Sequence, residues 1–375
     1  MGFKQLKELS FIGGADIVGT VAGSILWFTL AVMMTPENFG EISYYIGIAL
    51  IAAAFVTVGA QNTIIVYSSK NLKIESTLYF ISLILGIIAS FVIIILFYKI
   101  DIVFLLFAYV INSLAIGELI GKKLFSQYSK YVLVQKFLTL GLGLLSFVFF
   151  GIDGIIPALS ISYVFFIIII FKQLKNTKID FSLLKNRTNF ILNNYIIDVL
   201  TKLNGHLNKF FIVPLLGFAI LGNFSLAIQF VNIGLLFTTI VFKYTISYDA
   251  KGKNNKKLKI LTFFISILVA IIGTIITPFI IPSFFPQYVE VIEVIQIISF
   301  SIIPVTATMI FSSKLLGNEK SKQIVYSKML SIIIFIVGIL VLTPEYGVLG
   351  LSVSYLLSTT SEALCLIPFK NLRQK

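Results

Sequence analysis

The chain has 375 residues, of which 58% are hydrophobic and only 12% are charged, and its mean hydropathy is +1.01. Soluble domains carry about 45–50% apolar and about 25% charged residues, so this composition excludes a water-soluble protein and indicates a multi-pass membrane protein. The single cysteine, Cys365, and the single histidine, His206, exclude an intramolecular disulfide and a metal centre built from these residue types.

Twelve apolar runs approach or exceed the roughly 20 residues that a helix needs to cross a bilayer. The first run is too long for the core of a cleaved signal peptide, which has about 7–15 residues, so we interpret it as a membrane helix. In chain order, the predicted helices cover residues 9–34, 42–67, 77–98, 102–121, 131–150, 154–171, 190–213, 219–242, 259–281, 290–312, 324–342 and 348–369.

The 29 basic residues alternate between the two sides of the predicted bundle. Nearly all of them lie at the N-terminus, in the even-numbered connections or at the C-terminus, whereas the odd-numbered connections contain only Lys99. This pattern places both termini in the cytoplasm and the chain in the cell membrane. It also explains the net charge of +13 without a nucleic-acid partner and leaves contact with anionic membrane lipids as its further role.

The odd-numbered connections are very short, as in "YKID", "FGIDG" and "TPEYG". No external domain can fold from them, which argues against a membrane-embedded enzyme of glycan assembly. We therefore predict that the protein is not an enzyme. The longest inner connection, residues 172–189, falls at the midpoint of the chain and has the composition of an amphipathic segment at the membrane surface.

The chain carries an internal repeat. "LSISY" at 159–163 recurs as "LSVSY" at 351–355, and residues 16–66 align without gaps on 198–248 with eleven identities. The identical pairs include Asp16/Asp198, Gly23/Gly205 and Gly40/Gly222. This duplication predicts an N-terminal six-helix lobe over 1–172, a linker over 173–189 and a C-terminal lobe over 190–375. Two parallel lobes predict a substrate site at their interface and alternating access.

The seventh predicted helix has one polar face about 160° wide, at 100° per residue. Its candidate site residues are Asn194, Asp198, Lys202, His206, Asn208 and Lys209. The three charges cost about 9 kcal/mol on the insertion scale, and the apolar residues of the helix recover about 7 kcal/mol. The helix must therefore face protein or a water-filled cavity rather than lipid.

The cationic residues of this face suit a phosphate group. Lys202, Lys209 and His206 would attract it, with Asn194 and Asn208 completing a polar wall. Alternatives remain open for each cation. Asp198 and Lys202 are spaced to neutralise each other, Lys209 can extend to the interface, and His206 can be a packing residue.

Three segments carry a resemblance to a known superfamily. They are "MTPENFGEISYYIGIALIAAAFVTVGAQNTIIVYSS" (34–69), "FFPQYVEVIEVIQIISFSIIPVTATMIFSSKLLGNEKSKQ" (284–323) and "PEYGVLGLSVSYLLS" (344–358). They resemble Wzx-type polysaccharide flippases of the multidrug/oligosaccharidyl-lipid/polysaccharide (MOP) superfamily. The loop "SSKNLKIES" does not match the corresponding motif of the major facilitator fold, which also has twelve helices.

The resemblance implies an all-α integral membrane protein of MATE-like fold, with two parallel six-helix lobes around a central cavity. It implies a flippase that moves a polyprenyl- or dolichyl-(pyro)phosphate-linked oligosaccharide to the outer leaflet. Asp16 matches the acidic residue of the first helix that this superfamily links to cation or proton coupling, and Asp198 is its repeat mate. Asp16 can alternatively be a carboxylate that stays hydrated near the headgroups. We expect no cofactor or metal, apart from a coupling Na⁺ or H⁺.

A second function fits the same fold, namely a MATE-type drug/cation antiporter. It predicts an acid-lined cavity, and the two lysines of the seventh helix argue against it. The expected partners are the lipid-linked oligosaccharide, membrane lipids and glycan-assembly enzymes, and we expect the protein to act as a monomer.

Overall fold

The computed structural model describes residues 3–70, 72–185, 187–249, 255–317 and 321–367. This part of the chain contains helices, turns and short connections and no strand, which confirms the all-α class. The helices are α1 Phe3–Met33, α2 Pro36–Thr57, α3 Ala60–Ser69, α4 Glu75–Phe97, α5 Ile100–Gly121, α6 Phe125–Phe150, α7 Ile155–Ile161, α8 Ile167–Asn176, α9 Ser182–Lys185, α10 Thr188–Gly234, α11 Leu236–Asp249, α12 Lys256–Phe284, α13 Val291–Ser299, α14 Ile302–Gly317 and α15 Ser321–Leu366.

Within the described residues, nine helical stretches are long and apolar enough to cross a membrane. Three of them, Phe125–Asn176, Thr188–Gly234 and Lys322–Leu366, contain 52, 47 and 45 residues. One crossing needs about 20 residues, so each of these three accommodates two crossings. The nine stretches thus match the twelve predicted spans, and the chain is a multi-pass membrane protein.

Each of these three stretches contains a kink at one glycine, here called a reversing glycine. The backbone angles of this glycine are strongly disfavoured for residues that carry a side chain. Gly151 has φ 63° and ψ −147°, Gly217 has φ 83° and ψ 176°, and Gly347 has φ 55° and ψ −132°. A side chain at Cβ disfavours this region strongly. The three glycines fall in predicted odd-numbered connections, so these pairs of helices are joined by almost no loop.

Some predicted helices are interrupted within their length. The second ends at Thr57 and resumes at Ala60, with Val58 and Gly59 at φ 49° and 64°. A Cβ on Gly59 would lie 2.5 Å from the backbone nitrogen of Tyr195, so this break lets α10 approach closely. The sixth predicted helix breaks at "LSISY", whereas "LSVSY" lies inside α15.

Packing divides the chain into two compact units. Unit 1 comprises Met1–Leu30 and Ile42–Leu207, and unit 2 comprises Ala31–Glu41 and Asn208–Lys375. The division falls inside α10 rather than in the linker 173–189. These units are defined by which residues pack together, whereas the lobes 1–172 and 190–375 are defined by the sequence repeat. The two lobes therefore remain a prediction.

Unit 2 contains a very close helix crossing. A Cβ on Gly40 of α2 would lie 1.9 Å from the carbonyl oxygen of Phe218, and a Cβ on Gly222 of α10 would lie 1.8 Å from that of Pro36. Both glycines belong to one pair of the predicted repeat. Any side chain at either position would separate the two helices.

Polar clusters tie the helix ends that we predict to face the cytoplasm, here called the inner ends. In unit 2 the α11–α14 cluster consists of Asp249, Lys259 and Ser313, with Asp249 Oδ2 accepting from Lys259 Nζ at 2.6 Å and from Ser313 Oγ at 2.7 Å. In unit 1 the α3–α5 cluster consists of Ser68, Glu75, Tyr79, Glu118 and Lys122. Each cluster joins three helices of its unit, namely α11, α12 and α14 in unit 2 and α3, α4 and α5 in unit 1.

Candidate functional site in the membrane-spanning helices

The candidate residues of the seventh predicted helix all lie on α10, whose continuous turns confirm the helical spacing used to group them. Asn194, Asp198, Lys202 and His206 belong to unit 1, and Asn208 and Lys209 belong to unit 2. Asn208 is buried, with 6% of its surface exposed, and the other five are half-buried.

Asp198 has one neighbour from another helix and one from its own. Thr57 Oγ1, at the end of α2, donates a long hydrogen bond of 3.4 Å to Asp198 Oδ2. Lys202, one turn along α10, acts electrostatically on the Asp198 carboxylate. This arrangement is consistent with mutual neutralisation of Asp198 and Lys202, the alternative left open by their spacing.

The two asparagines are engaged locally. Asn194 Nδ2 donates to the carbonyl oxygen of Phe190 at 2.9 Å, and Asn208 Oδ1 accepts from the backbone N–H of Lys209 at 2.9 Å. A role for either side chain as a polar wall would use its remaining amide atom. That role stays a prediction.

Asp16 forms a second polar group in unit 1. Tyr128 Oη donates to Asp16 Oδ1 at 2.9 Å. Lys136 reaches the same region, because its Cγ lies 3.0 Å from where a Cβ on Gly19 would be, and its charge interacts with Asp16. The missing side chain at Gly19 thus makes room for the lysine stem. Asp16, Tyr128 and Lys136 together form the α1–α6 cluster.

Sequence reasoning missed Lys136. We grouped it with the positive charges that flank the membrane, but it lies eleven residues inside α6, which begins at Phe125. One signal could have found it. The shift of 192 residues that aligns "LSISY" with "LSVSY" also aligns Lys136 with Lys328. Lys328 contacts a carboxylate as well, since its Nζ lies 3.4 Å from Glu362 Oε1 in unit 2.

Within the described residues, no group of three or more histidine, cysteine, aspartate or glutamate side chains is arranged to hold a metal ion. The side chains of the α1–α6 cluster and the candidate residues of α10 supply lysines, carboxylates, amides, an imidazole and a phenol. Such groups can bind an anion through lysine and exchange a proton or a small cation at a carboxylate.

Comparison with known proteins finds matches among solved structures only. No protein-family model and no curated protein matches the sequence. A multidrug resistance MATE family transporter of the MOP superfamily in its inward-facing conformation matches with a TM-score of 0.71 and 15% identity, over 97% of this chain and 94% of that chain. The outward-facing conformation of such a transporter matches with a TM-score of 0.65 and 15% identity, over 98% and 95%.

A third solved structure is a MOP superfamily transporter from Pyrococcus furiosus, described as having a binding pocket of reverse polarity that suggests a different function. It matches with a TM-score of 0.65 and 14% identity, over 98% of this chain and 95% of that chain. At identities this low, the structural similarity establishes the fold but not the transported substrate. The chain therefore has the fold of the MATE transporters of the MOP superfamily along nearly its whole length.

Proposed function

We propose that the protein is a membrane transporter that flips a polyprenyl- or dolichyl-(pyro)phosphate-linked oligosaccharide from the inner to the outer leaflet by alternating access. The observation that carries this proposal is the presence of lysines inside apolar spans, namely Lys136 in α6 and Lys202 and Lys209 in α10. Charged residues at such positions are expensive and mark substrate or ion pathways. Lysine binds phosphate as a point charge.

Asp16 gives the anion site a means of ion coupling. In the α1–α6 cluster Lys136 is held near Asp16. A phosphate that draws Lys136 toward itself would weaken this interaction and leave the carboxylate to take up Na⁺ or H⁺. Asp198, with Lys202 one turn away, offers the same arrangement on α10. We propose both carboxylates as coupling residues.

The charges near Asp16 and Asp198 favour a phosphate-bearing lipid-linked sugar over a cationic drug as the substrate. A cationic drug needs carboxylates that are not already neutralised, whereas each of the two carboxylates here has a lysine in electrostatic range. The description of the Pyrococcus furiosus transporter supports the idea that this fold can carry pockets of different polarity. The lipid tail would stay in the bilayer, glycan-assembly enzymes would supply the cargo, and a monomer would suffice.

A drug/cation antiporter remains the second candidate, because the structures that match are described as multidrug resistance transporters. It would use Asp16 and Asp198 as cation acceptors. Loss of Lys136 would then leave drug transport intact or improve it, whereas it would impair transport of a phosphate-bearing lipid.

Reconstituted proteoliposomes test the proposal. A fluorescent lipid-linked oligosaccharide should become accessible to a membrane-impermeant quencher at the opposite leaflet, with and without an imposed Na⁺ or H⁺ gradient. Lys136→Gln should slow flipping about 10- to 100-fold, the equivalent of one charged hydrogen bond of about 1.5–3 kcal/mol. Lys99→Gln, in an odd-numbered connection, is the matched control and should flip normally.

The same vesicles exclude the rival functions. If the wild-type protein moves no lipid-linked oligosaccharide under either gradient but exports a cationic dye, the antiporter is the correct function. If Lys136→Gln, Lys202→Gln and Lys209→Gln all flip at the wild-type rate, the lysines have no substrate role and the argument for a phosphate-bearing cargo fails.

A further inference from the structure

Glu75, in the α3–α5 cluster, is a buried carboxylate that the proposed function does not use. Only 2% of its surface is exposed, although it is the first residue of α4. Ser68 Oγ donates to Glu75 Oε1 at 2.5 Å, and Glu75 Oε2 is buried with no hydrogen-bond partner among the described residues. A hydroxyl is a neutral donor, so one carboxylate oxygen and the whole negative charge remain uncompensated by Ser68.

The other charges of the α3–α5 cluster are already balanced. Glu118, which is 7% exposed, accepts from Lys122 Nζ at 2.6 Å and from Tyr79 Oη at 2.5 Å. Lys122 also donates to Gln173 Oε1 of α8 at 2.7 Å. Lys122 is thus bound to Glu118 and Gln173, and within the described residues it forms no ion pair with Glu75.

Among the described residues, no other lysine near this end of α4 forms an ion pair with Glu75. Lys70 is exposed and lies over the Tyr67 ring, with its Nζ 5.9 Å from the ring centroid. Lys73 is exposed, as are Lys172 and Lys175 on α8. The N-terminal end of α4 favours a nearby negative charge, but this effect is small compared with the penalty for burying an unpaired ion.

The α11–α14 cluster shows how this fold satisfies the same position. Asp249, at the end of α11, has Lys259 of α12 at 2.6 Å and Ser313 of α14 at 2.7 Å. There the cation is a side chain of the protein. In the α3–α5 cluster the helices join in the corresponding order, but the residue at the start of α4 is an acid, and no lysine in the described part of the chain is paired with it.

We propose that the Glu75 carboxylate, together with the Ser68 hydroxyl, binds one monovalent cation, Na⁺, between the inner ends of α3, α4 and α5. The occupant supplies the positive charge that Lys259 supplies to Asp249 in unit 2. The site is separate from Asp16 and Asp198, and it does not depend on what the protein transports. In the predicted orientation, its position at the inner end places it on the side of cytoplasmic Na⁺.

Cation binding by purified protein in nanodiscs tests this proposal without any transport measurement. In the first arm, ²²Na⁺ binding is measured at pH 8 with choline as the replacement cation. In the second arm, the unfolding temperature is compared at pH 8 in Na⁺ and in choline. A cation that binds only the folded state stabilises it by mass action, so the wild-type protein should unfold at a higher temperature in Na⁺.

Glu75→Gln should lose one bound Na⁺ per chain and, with it, the Na⁺-dependent stabilisation that this site contributes. Asp16→Asn and Asp249→Asn are matched controls that should keep the Glu75-dependent signal. Should Glu75→Gln fail to fold, Ser68→Ala should weaken Na⁺ binding several-fold and reduce the Na⁺-dependent rise in unfolding temperature. The proposal is wrong if Glu75→Gln, or Ser68→Ala in its place, matches the wild type in both arms.

Discussion

Gly40 and Gly222 show how much a missing side chain can determine in this protein. Each faces a backbone carbonyl oxygen so closely that a Cβ would lie within 2 Å of it, at 1.9 Å from Phe218 and 1.8 Å from Pro36. Backbone cannot yield in the way that the end of a flexible side chain can. The contact between α2 and α10 therefore exists only because both positions are glycine.

We expect Gly40→Ala and Gly222→Ala each to destabilise the protein by about 3 kcal/mol or more, because the inserted methyl groups force backbone apart. The unfolding temperature of the purified protein measures the effect. Gly23→Ala is the control, since nothing lies within 4 Å of its Cβ position. Alanine there should be neutral or stabilise α1 by up to about 1 kcal/mol. Equal behaviour of the Gly40 and Gly23 variants would contradict this reading.

Asp180 is a residue-scale feature of the linker between α8 and α10. Its Oδ1 accepts from the backbone N–H of Ser182 at 2.9 Å and from Ser182 Oγ at 2.6 Å, and these hydrogen bonds lower the pKa of Asp180. Its own backbone N–H donates to Thr77 Oγ1 of α4 at 2.9 Å. The linker is thus fixed to α4 rather than hanging free.

Ser182→Ala should move the pKa of Asp180 up toward its ordinary value of about 3.9, because the shorter of the two hydrogen bonds is lost. A depressed carboxylate pKa contributes stability that is present above the unfolded pKa and is lost as the pH falls through the folded pKa. Carboxyl ¹³C shifts followed through acid titration, with Asp180→Asn to assign the signal, report the change. An unchanged pKa in Ser182→Ala would show that the serine hydroxyl plays no part.

At the scale of elements, the three reversing glycines allow two crossings to follow each other with almost no loop. Gly151, Gly217 and Gly347 have open space around their Cβ positions, with nothing within 4 Å. Their restriction is therefore one of backbone conformation and not of packing. This separates them from Gly40 and Gly222, where the conformation is ordinary and space is lacking.

Gly217→Ala and Gly347→Ala should each destabilise the protein by about 1–3 kcal/mol, the strain of holding a non-glycine residue in this region. Gly141→Ala in α6 is the matched control. It has the same open surroundings without a positive φ and should not destabilise the protein. Thermal unfolding compares the three variants, and an unaffected Gly217→Ala would show that the reversal tolerates a side chain.

The elements were predictable where the signal is local. The number of spans follows from hydropathy, and the turns at "FGIDG" and "TPEYG" follow from their glycines and the adjacent polar residues. The break at Val58–Gly59 was not predictable, because its cause is the approach of Tyr195, which is far away in sequence. The interruption at "LSISY" was missed for a similar reason. Ser162 contacts Thr139 of α6, a partner that the pentapeptide itself does not specify.

The candidate site was predictable as a set of residues but not as a set of contacts. Asp16 stood out as an acid in an apolar run, yet its partners Tyr128 and Lys136 come from α6. When every lysine is assigned to one side of the membrane, Lys136, which lies within α6, is overlooked. Side-chain direction is also invisible to the sequence, which explains why Asn194, assigned to a polar wall, donates to its own helix.

For the whole molecule, the positive-inside pattern predicts that both termini and the linker face the cytoplasm. In a Cys365→Ala background, Glu345→Cys and Lys185→Cys place single thiols at exposed positions in an odd-numbered connection and in the linker. A membrane-impermeant maleimide added to intact cells should label Glu345→Cys and not Lys185→Cys. The reverse pattern would mean that the orientation is inverted.

The reversing glycines also set limits on how the gene can change. Every single-base change that replaces a glycine by another amino acid adds a side chain. No such replacement of Gly151, Gly217 or Gly347 is therefore free of backbone strain. The apolar faces of the spans differ in this respect, because one base separates codons for isoleucine, valine and leucine. We expect natural drift to replace most of the hydrophobic surface residues of this protein while these three positions remain glycine.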